Sequence, residues 1–199
     1  MARRRQEAQQ RKVRIIMGIV VVFLMVFSIF GIFVGQQSAT STNYGDYNIE
    51  VDPTTGMQLL DIGDITYAFY YHPSLVSYID VPQEAIWGLQ GAEIIIYTHD
   101  PAAANQDAIE QAKYDLSQYI PVPHILAATR AEGAYADYSI YDCTAATPTT
   151  AVVYFEQGNT TNITMVGNCI VVSATAGGFL QARDALLYHY LGVIDGQAN

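Results

Sequence analysis

Ile15 to Gly35 reads IIMGIVVVFLMVFSIFGIFVG, and its 21 residues carry no charge. As a helix rising about 1.5 Å per residue it reaches roughly 31 Å, the thickness of a bilayer's hydrocarbon core. A helix apolar on every side offers water no polar face, and a helix satisfies its own backbone groups inside lipid. The stretch is therefore expected to be a transmembrane helix, in contact with the lipid bilayer along its length.

Charge sets the expected orientation. Arg3, Arg4, Arg5, Arg11, Lys12 and Arg14 precede the stretch, with Glu7 the one acid among them. Behind it stand three bases, Lys113, Arg130 and Arg183, against eighteen acids. Basic flanks stay on the cytoplasmic side, so residues 1–14 read as a cytoplasmic tail and residues 36–199 as extracytoplasmic. A cleaved signal peptide has a shorter apolar region and a small-x-small cleavage site; Ser38-Ala39-Thr40 is a poor one. A pilin-like filament subunit is a further alternative. It lacks a processing site at Arg14-Ile15 and an acid early in the apolar run.

Residues 36–57 are rich in Gln, Ser, Thr, Asn and Gly and are expected to be a polar linker, with weak alternation over Tyr47 to Val51. Residues 58–199 are long enough for one domain with its own core. Their acidity argues against nucleic acid, whose phosphates call for clustered Lys and Arg, and accords with a solvated exterior.

The domain's elements follow from periodicity. QLLDI and DITYAFYY flank Gly63-Asp64 and form a hairpin or one bulged strand. Pro82 opens a short helix over Gln83 to Leu89. Residues 92–99, AEIIIYTH, are a buried strand. Ala104, Ala108, Ile109, Ala112, Leu116 and Ile120 then recur at helical spacing up to Pro121, and residues 122–129 make another strand. Strand–helix–strand succession predicts a parallel βαβ unit. Strands follow at 137–144 and 151–156, then a hairpin of 162–166 and 169–174 about Gly167-Asn168. A helix over 176–191 ends at Gly192. The expected whole is an N-terminal transmembrane helix plus one mixed α/β (α+β) extracytoplasmic domain, with a central mixed sheet and a C-terminal helix.

Cys143 and Cys169 both fall on the exported side. In an oxidising compartment such a pair is most simply a disulfide, which would make strands 137–144 and 169–174 neighbours. Buried thiols or a metal site are the alternatives; no CxxC or HxxxH spacing supports a metal. Asn159-Thr160-Thr161 and Asn162-Ile163-Thr164 are Asn-x-Thr sequons, candidate glycosylation sites or equally an Asn-rich turn. His99 and Asp100 stand at a strand end, where ligands of open α/β sheets bind. They are the weak candidates for acid–base catalysis; simple turn chemistry, with Asp100 capping a helix, explains them as well. Ser173 to Gly178 joins a strand to a helix without a phosphate-loop lysine. Arg183-Asp184 reads as an ion pair on a helix surface or edge. No cofactor or metal site is expected.

Tyr141-Asp142-Cys143, Gly167-Asn168-Cys169-Ile170-Val171-Val172, Ala182-Arg183-Asp184-Ala185-Leu186 and Leu191-Gly192-Val193 together resemble a pattern in single-pass archaeal membrane proteins to which no activity is attached. The resemblance covers roughly 137–194. It implies an archaeal cell-envelope protein with the two cysteines bonded, and nothing about catalysis. The expected function is a non-enzymatic, membrane-anchored interaction or structural module with a protein partner in the envelope. The alternative is an anchored hydrolase using His99 and Asp100. Oligomeric state is left open.

Overall fold

The structure is a computed structural model that describes residues 41–194, together with Met17, Val20, Phe23, Leu24 and Met25. Those five are helical and exposed; the rest of the expected span 15–35, the tail before it and residues 36–40 lie outside the described residues. No helix among the described residues is long and apolar enough to cross a membrane.

Residues 41–194 form a mixed α/β domain with two sheets. The first is an antiparallel meander of β1 (Ser41–Tyr44), β2 (Tyr47–Val51), β3 (Gln58–Ile62) and β4 (Ile65–Phe69), joined in chain order. The linker expected to reach residue 57 thus gives way to strand at Ser41. Ile49 and Leu60 oppose each other across β2 and β3 and are both fully or almost fully buried, which fixes the register of an otherwise polar segment. Gly63 takes φ +60° in the turn between β3 and β4, so the hairpin reading of that region is the one observed.

The second sheet holds β5 (Ile94–His99), β6 (His124–Ala128), β7 (Ser139–Ile140), β8 (Thr150–Gln157), β9 (Asn162–Val166) and β10 (Cys169–Ala174) in the order β7-β6-β5-β8-β10-β9. All neighbours are parallel except β9, which pairs antiparallel with β10 at one edge. Helices α1 (Gln83–Gly91), α2 (Gln106–Tyr119) and α3 (Gly178–Tyr190) complete the domain. The βαβ unit is β5–α2–β6, as its periodicity predicts.

One face of the large sheet meets the helices. Ile95, Tyr97, Val153, Phe155, Ile170 and Val172 alternate along their strands and join Ile109, Leu116, Phe179 and Leu186 in the main core. The meander closes over the same helices: Phe69 stacks on Tyr188 with centroids 3.8 Å apart, and Tyr67 packs on Tyr119. Helix α3 therefore lies between two sheets, which is why it is buried on nearly every side.

That position buries Arg183 and Asp184, which were expected on a helix surface. They complete the free edge of β4. Ala68 N–H donates to Tyr119 Oη at 3.1 Å and Ala68 C=O accepts from Arg183 Nη1 at 3.0 Å. The N–H groups of Tyr70 and Tyr71 both donate to Asp184 Oδ2 at 2.8 Å. Arg183 also pairs with Asp184, approaches Asp115 at 3.6 Å, and lies over the rings of Phe69, Tyr70 and Tyr119. Burial holds the Asp184 carboxyl up at about 6, with Arg183 and the two amides opposing the rise.

The other face of the large sheet carries a small cluster of Ile96, Ala127, Val152, Cys169 and Val171 under the segment 141–146. Cys143 and Cys169 are disulfide-bonded with Cα atoms 5.3 Å apart. The strand expected over 137–144 is only Ser139–Ile140 and pairs with β6, not with β10. Cys143 instead opens a single 3-10 turn whose start is fixed by Asp142 accepting from Thr144 N. A bridge closing a loop of this length contributes about 3 kcal/mol in the chain-entropy model.

Arg183→Met is expected to destabilise the protein by about 3–5 kcal/mol, because it strands a buried carboxylate and leaves Ala68 C=O without a partner. Urea unfolding checks this through the midpoint at constant m-value; a change below about 1 kcal/mol would mean that the network contributes nothing beyond packing.

Candidate functional site

The chain leaves β5 towards β6 on one side and leaves β8 towards β10 on the other. The gap between β5 and β8 is therefore a topological switch point, and crevices for ligands open outside the carboxyl ends of strands there. A concavity of about 380 Å³ lies at this place, lined by Ala104, Asn105, Gln106, Asp107, Ala108 and Ala176. It sits between the start of α2 and the loop from β10 to α3. Gln157, the last residue of β8, anchors its rim by accepting from Ala104 N at 3.3 Å.

The loops that shape it depart in detail from the sequence reading. Asp100 Oδ1 accepts from Ala102 N at 2.9 Å, forming a local turn before α2. Asn105 is the N-cap residue of α2 by position, with no side-chain capping bond. Gly177 occupies the cap of α3, with no side-chain capping bond.

His99 and Asp100 are not brought together. His99 shares the face of Ile95 and Tyr97, points under α2 and is fully buried. Asp100 lies past the strand end and pairs with the exposed Arg130 at 3.0 Å, which also binds Glu132. Exposed pairs of this kind contribute little. The two candidates for acid–base work thus face different surroundings. His72 and His124 lie elsewhere: His72 accepts from Ser74 N at the start of a 3-10 turn, and His124 opens β6.

What His99 meets is Lys113, which sequence reasoning missed. The Lys113 ammonium, fully buried, donates to Glu110 Oε1 at 2.8 Å, to Ala127 C=O at 3.0 Å and to His99 Nδ1 at 3.1 Å. Its three protons all have acceptors. Accepting at Nδ1 leaves the His99 proton on Nε2, a buried atom with no hydrogen-bond partner. Tyr135 meets the His99 ring edge-on at 4.6 Å, Tyr138 meets Tyr135 in the same way, and Lys113 lies 5.4 Å from the Tyr138 ring centre. The signal in the sequence was positional: Lys113 falls on the helix stripe of Ile109, Ala112 and Leu116, all buried.

Burial, and then the neighbouring Lys113, hold the His99 pKa down at about 4. Burial also lowers that of Lys113, against Glu110, which raises it. The Tyr135 and Tyr138 hydroxyls are pushed up by burial first and Glu110 second. An ammonium with every proton engaged and a neutral imidazole facing inward tie α2 to β5 and β6. Of the acids near this cluster, Asp107 also lines the concavity. No group of three or more His, Cys, Asp or Glu among the described residues could hold a metal ion.

Compared with family models, curated proteins and solved structures, the chain matches none.

Acidification tests the buried histidine. Because the folded His99 binds its proton only near pH 4 while the unfolded chain does so near 6.5, its stabilising contribution is complete above 6.5 and is lost as pH falls towards about 4. Asp184 runs the opposite way: its raised pKa contributes fully below 3.8 and fades as pH rises through about 6. His99→Asn removes the first contribution and keeps the second. Between about pH 7 and about pH 5 the variant is expected to lose less stability than the parent protein. Urea titrations at the two pH values measure this, and parallel pH dependence would show that His99 is not held neutral.

Proposed function

We propose that this chain is a single-pass cell-envelope protein of the cytoplasmic membrane, N-terminus inside, whose α/β domain stands on the outer side and works as a non-enzymatic recognition module. The observation that carries the reading is the disulfide between Cys143 and Cys169. Such bonds persist in oxidising compartments, and six bases before an uncharged stretch of 21 residues direct the C-terminal part of a chain outward. The helical, exposed apolar side chains of Met17, Val20, Phe23, Leu24 and Met25 accord with a lipid-facing helix. The resemblance over 137–194 adds the archaeal envelope to the proposal.

The recognition surface of this reading is the carboxyl edge of the large sheet. Its concavity is open and mixed in polarity, and the adjoining titratable groups are engaged with each other. A protein partner in the envelope suits such a surface. Hydrolysis through His99 and Asp100 is not supported, since one faces the core and the other an exposed arginine.

A membrane-impermeant protease added to intact cells is expected to cut the domain around Cys143 and to spare residues 1–14. Survival of that region until the cells are opened would place the domain inside and end the proposal. A photo-reactive side chain at Ala176, on the rim, is expected to cross-link one envelope protein in native membranes. The same group at Asp64, in the exposed β3–β4 turn, is expected to capture none. Equal capture from both positions, or none from Ala176, removes the concavity as the contact.

A further inference from the structure

We infer that Asn162 carries an N-linked saccharide that covers the open edge of the large sheet, an inference that rests on the outer-side placement of the domain. Two independent observations meet at this residue: the chemistry of the tripeptide and an edge strand that pairs on one side only.

The tripeptide first. Asn-rich sequences in a turn serve the turn through their side chains, which accept from backbone N–H groups two residues on. This chain does that with Asp52, Asp100 and Asp142, each of which accepts from the N–H two residues ahead at 2.8–2.9 Å. Among the described residues, the side chains of Asn159 and Asn162 make no hydrogen bond, and both residues are exposed. Turn chemistry therefore does not account for them. Asn162 is the first residue of β9, and Thr164 is two residues further along the same strand. Successive side chains alternate, so Asn162 and Thr164 stand on one face while Ile163 is buried on the other. The amide and the hydroxyl of one sequon are thus displayed together.

The neighbouring sequon is presented differently. Its threonine, Thr161, is half-buried against α3, so close to Gly178 that a Cβ built there would meet Thr161 Oγ1 at 2.1 Å. Its hydroxyl is committed to packing, which singles out Asn162 over Asn159.

The edge second. β9 ends the six-stranded sheet and pairs on one side only, with β10. Its sequence, Asn-Ile-Thr-Met-Val, holds no charge and no proline, and Val166 is 62% exposed. Open edges of this composition pair with other chains unless they are covered, charged or bent. In the meander, the edge of β4 is covered by helix side chains. A hydrophilic saccharide on the first residue of β9 guards the edge that pairs with no other strand.

The step needs a glycosyl donor of the lipid-phosphate-linked saccharide class, delivered by a transferase at the outer membrane face. The Asn162 amide nitrogen attacks C1 of the first sugar. The N–C1 bond forms, the C1–O bond to phosphate breaks, the lipid phosphate leaves with the electron pair, and one amide proton goes to base. No oxidant or reductant takes part.

Peptide mass mapping of the full-length protein from its native membranes tests the proposal. The Asn162 peptide is expected to carry added saccharide mass, to keep it in Thr164→Ser, and to lose it in Thr164→Ala and Asn162→Gln. Each variant must retain the disulfide and an unchanged unfolding temperature. An unmodified Asn162 peptide in protein whose domain is digested on intact cells overturns the glycan and leaves the topology standing. Protection from that digestion overturns the topology as well. Saccharide on Asn159 with Asn162 bare overturns the assignment. Thr164→Ala is further expected to sediment as larger species than the parent, and Val166→Lys in the same background to reverse this. Equal sedimentation of Thr164→Ala and the parent overturns the guarding role.

Discussion

The free edge of β4 is the constraint around which the domain is arranged. A strand edge facing solvent can leave its backbone groups to water, but this edge is pressed against helices, where an unpaired N–H or C=O costs the full loss of its hydration. Four such groups, from Ala68, Tyr70 and Tyr71, are satisfied by three side chains on α2 and α3. One of those side chains is a guanidinium and another a carboxylate, so each neutralises the other where neither meets water. Three aromatic rings around Arg183 replace the solvent that a cation loses there. The arrangement couples the meander, β1 to β4, to the last helix of the domain, and the meander cannot peel away without exposing a buried ion pair.

That coupling explains which elements were legible beforehand. Three consecutive isoleucines bounded by turns, the helical spacing through Leu116, and Gly167-Asn168 between apolar runs are local signals, and the structure follows them. Tyr47, Ile49 and Val51 also alternate, but of Ser41 to Tyr44 only Tyr44 packs against the core. They become a strand because β2 offers an edge in register across the Gly45-Asp46 turn, a pairing that their own composition does not register. Arg183 and Asp184 illustrate the same gap. On an isolated helix two adjacent charges belong outside. Only a second sheet lying over the helix turns that position into an interior one, and no window of residues around 183 reveals its presence.

His99 and Lys113 were nearer to being read. His99 continues the alternation of Ile95 and Tyr97, and Lys113 lies on the apolar stripe of α2, so each belongs to the layer between strand and helix. A buried base on a buried stripe calls for acceptors, and Glu110, one turn earlier on the helix, supplies the charge. What no pattern indicates is the third acceptor, Ala127 C=O, which comes from β6 after the crossover. With it the lysine is saturated. Residue types suited to acid–base chemistry here fasten three elements together, at the edge where an α/β sheet ordinarily presents its ligand site.

The two faces of the large sheet are covered by different means. Parallel strands are ordinarily covered on both sides. In this domain the helices with their buried side chains all join one core, and among the described residues no helix contributes to the other. The second face is covered instead by an irregular segment whose strand is two residues long. Such a segment has little backbone pairing to hold it, and conformational entropy favours its release. The Cys143–Cys169 bond counters that release by shortening the reach of the unfolded chain, and Cys169 lies in the middle of the cluster being covered. A helix on this face would need no particular redox environment. A stapled loop does, so one short segment suffices on this face only where the sulfur–sulfur bond is stable.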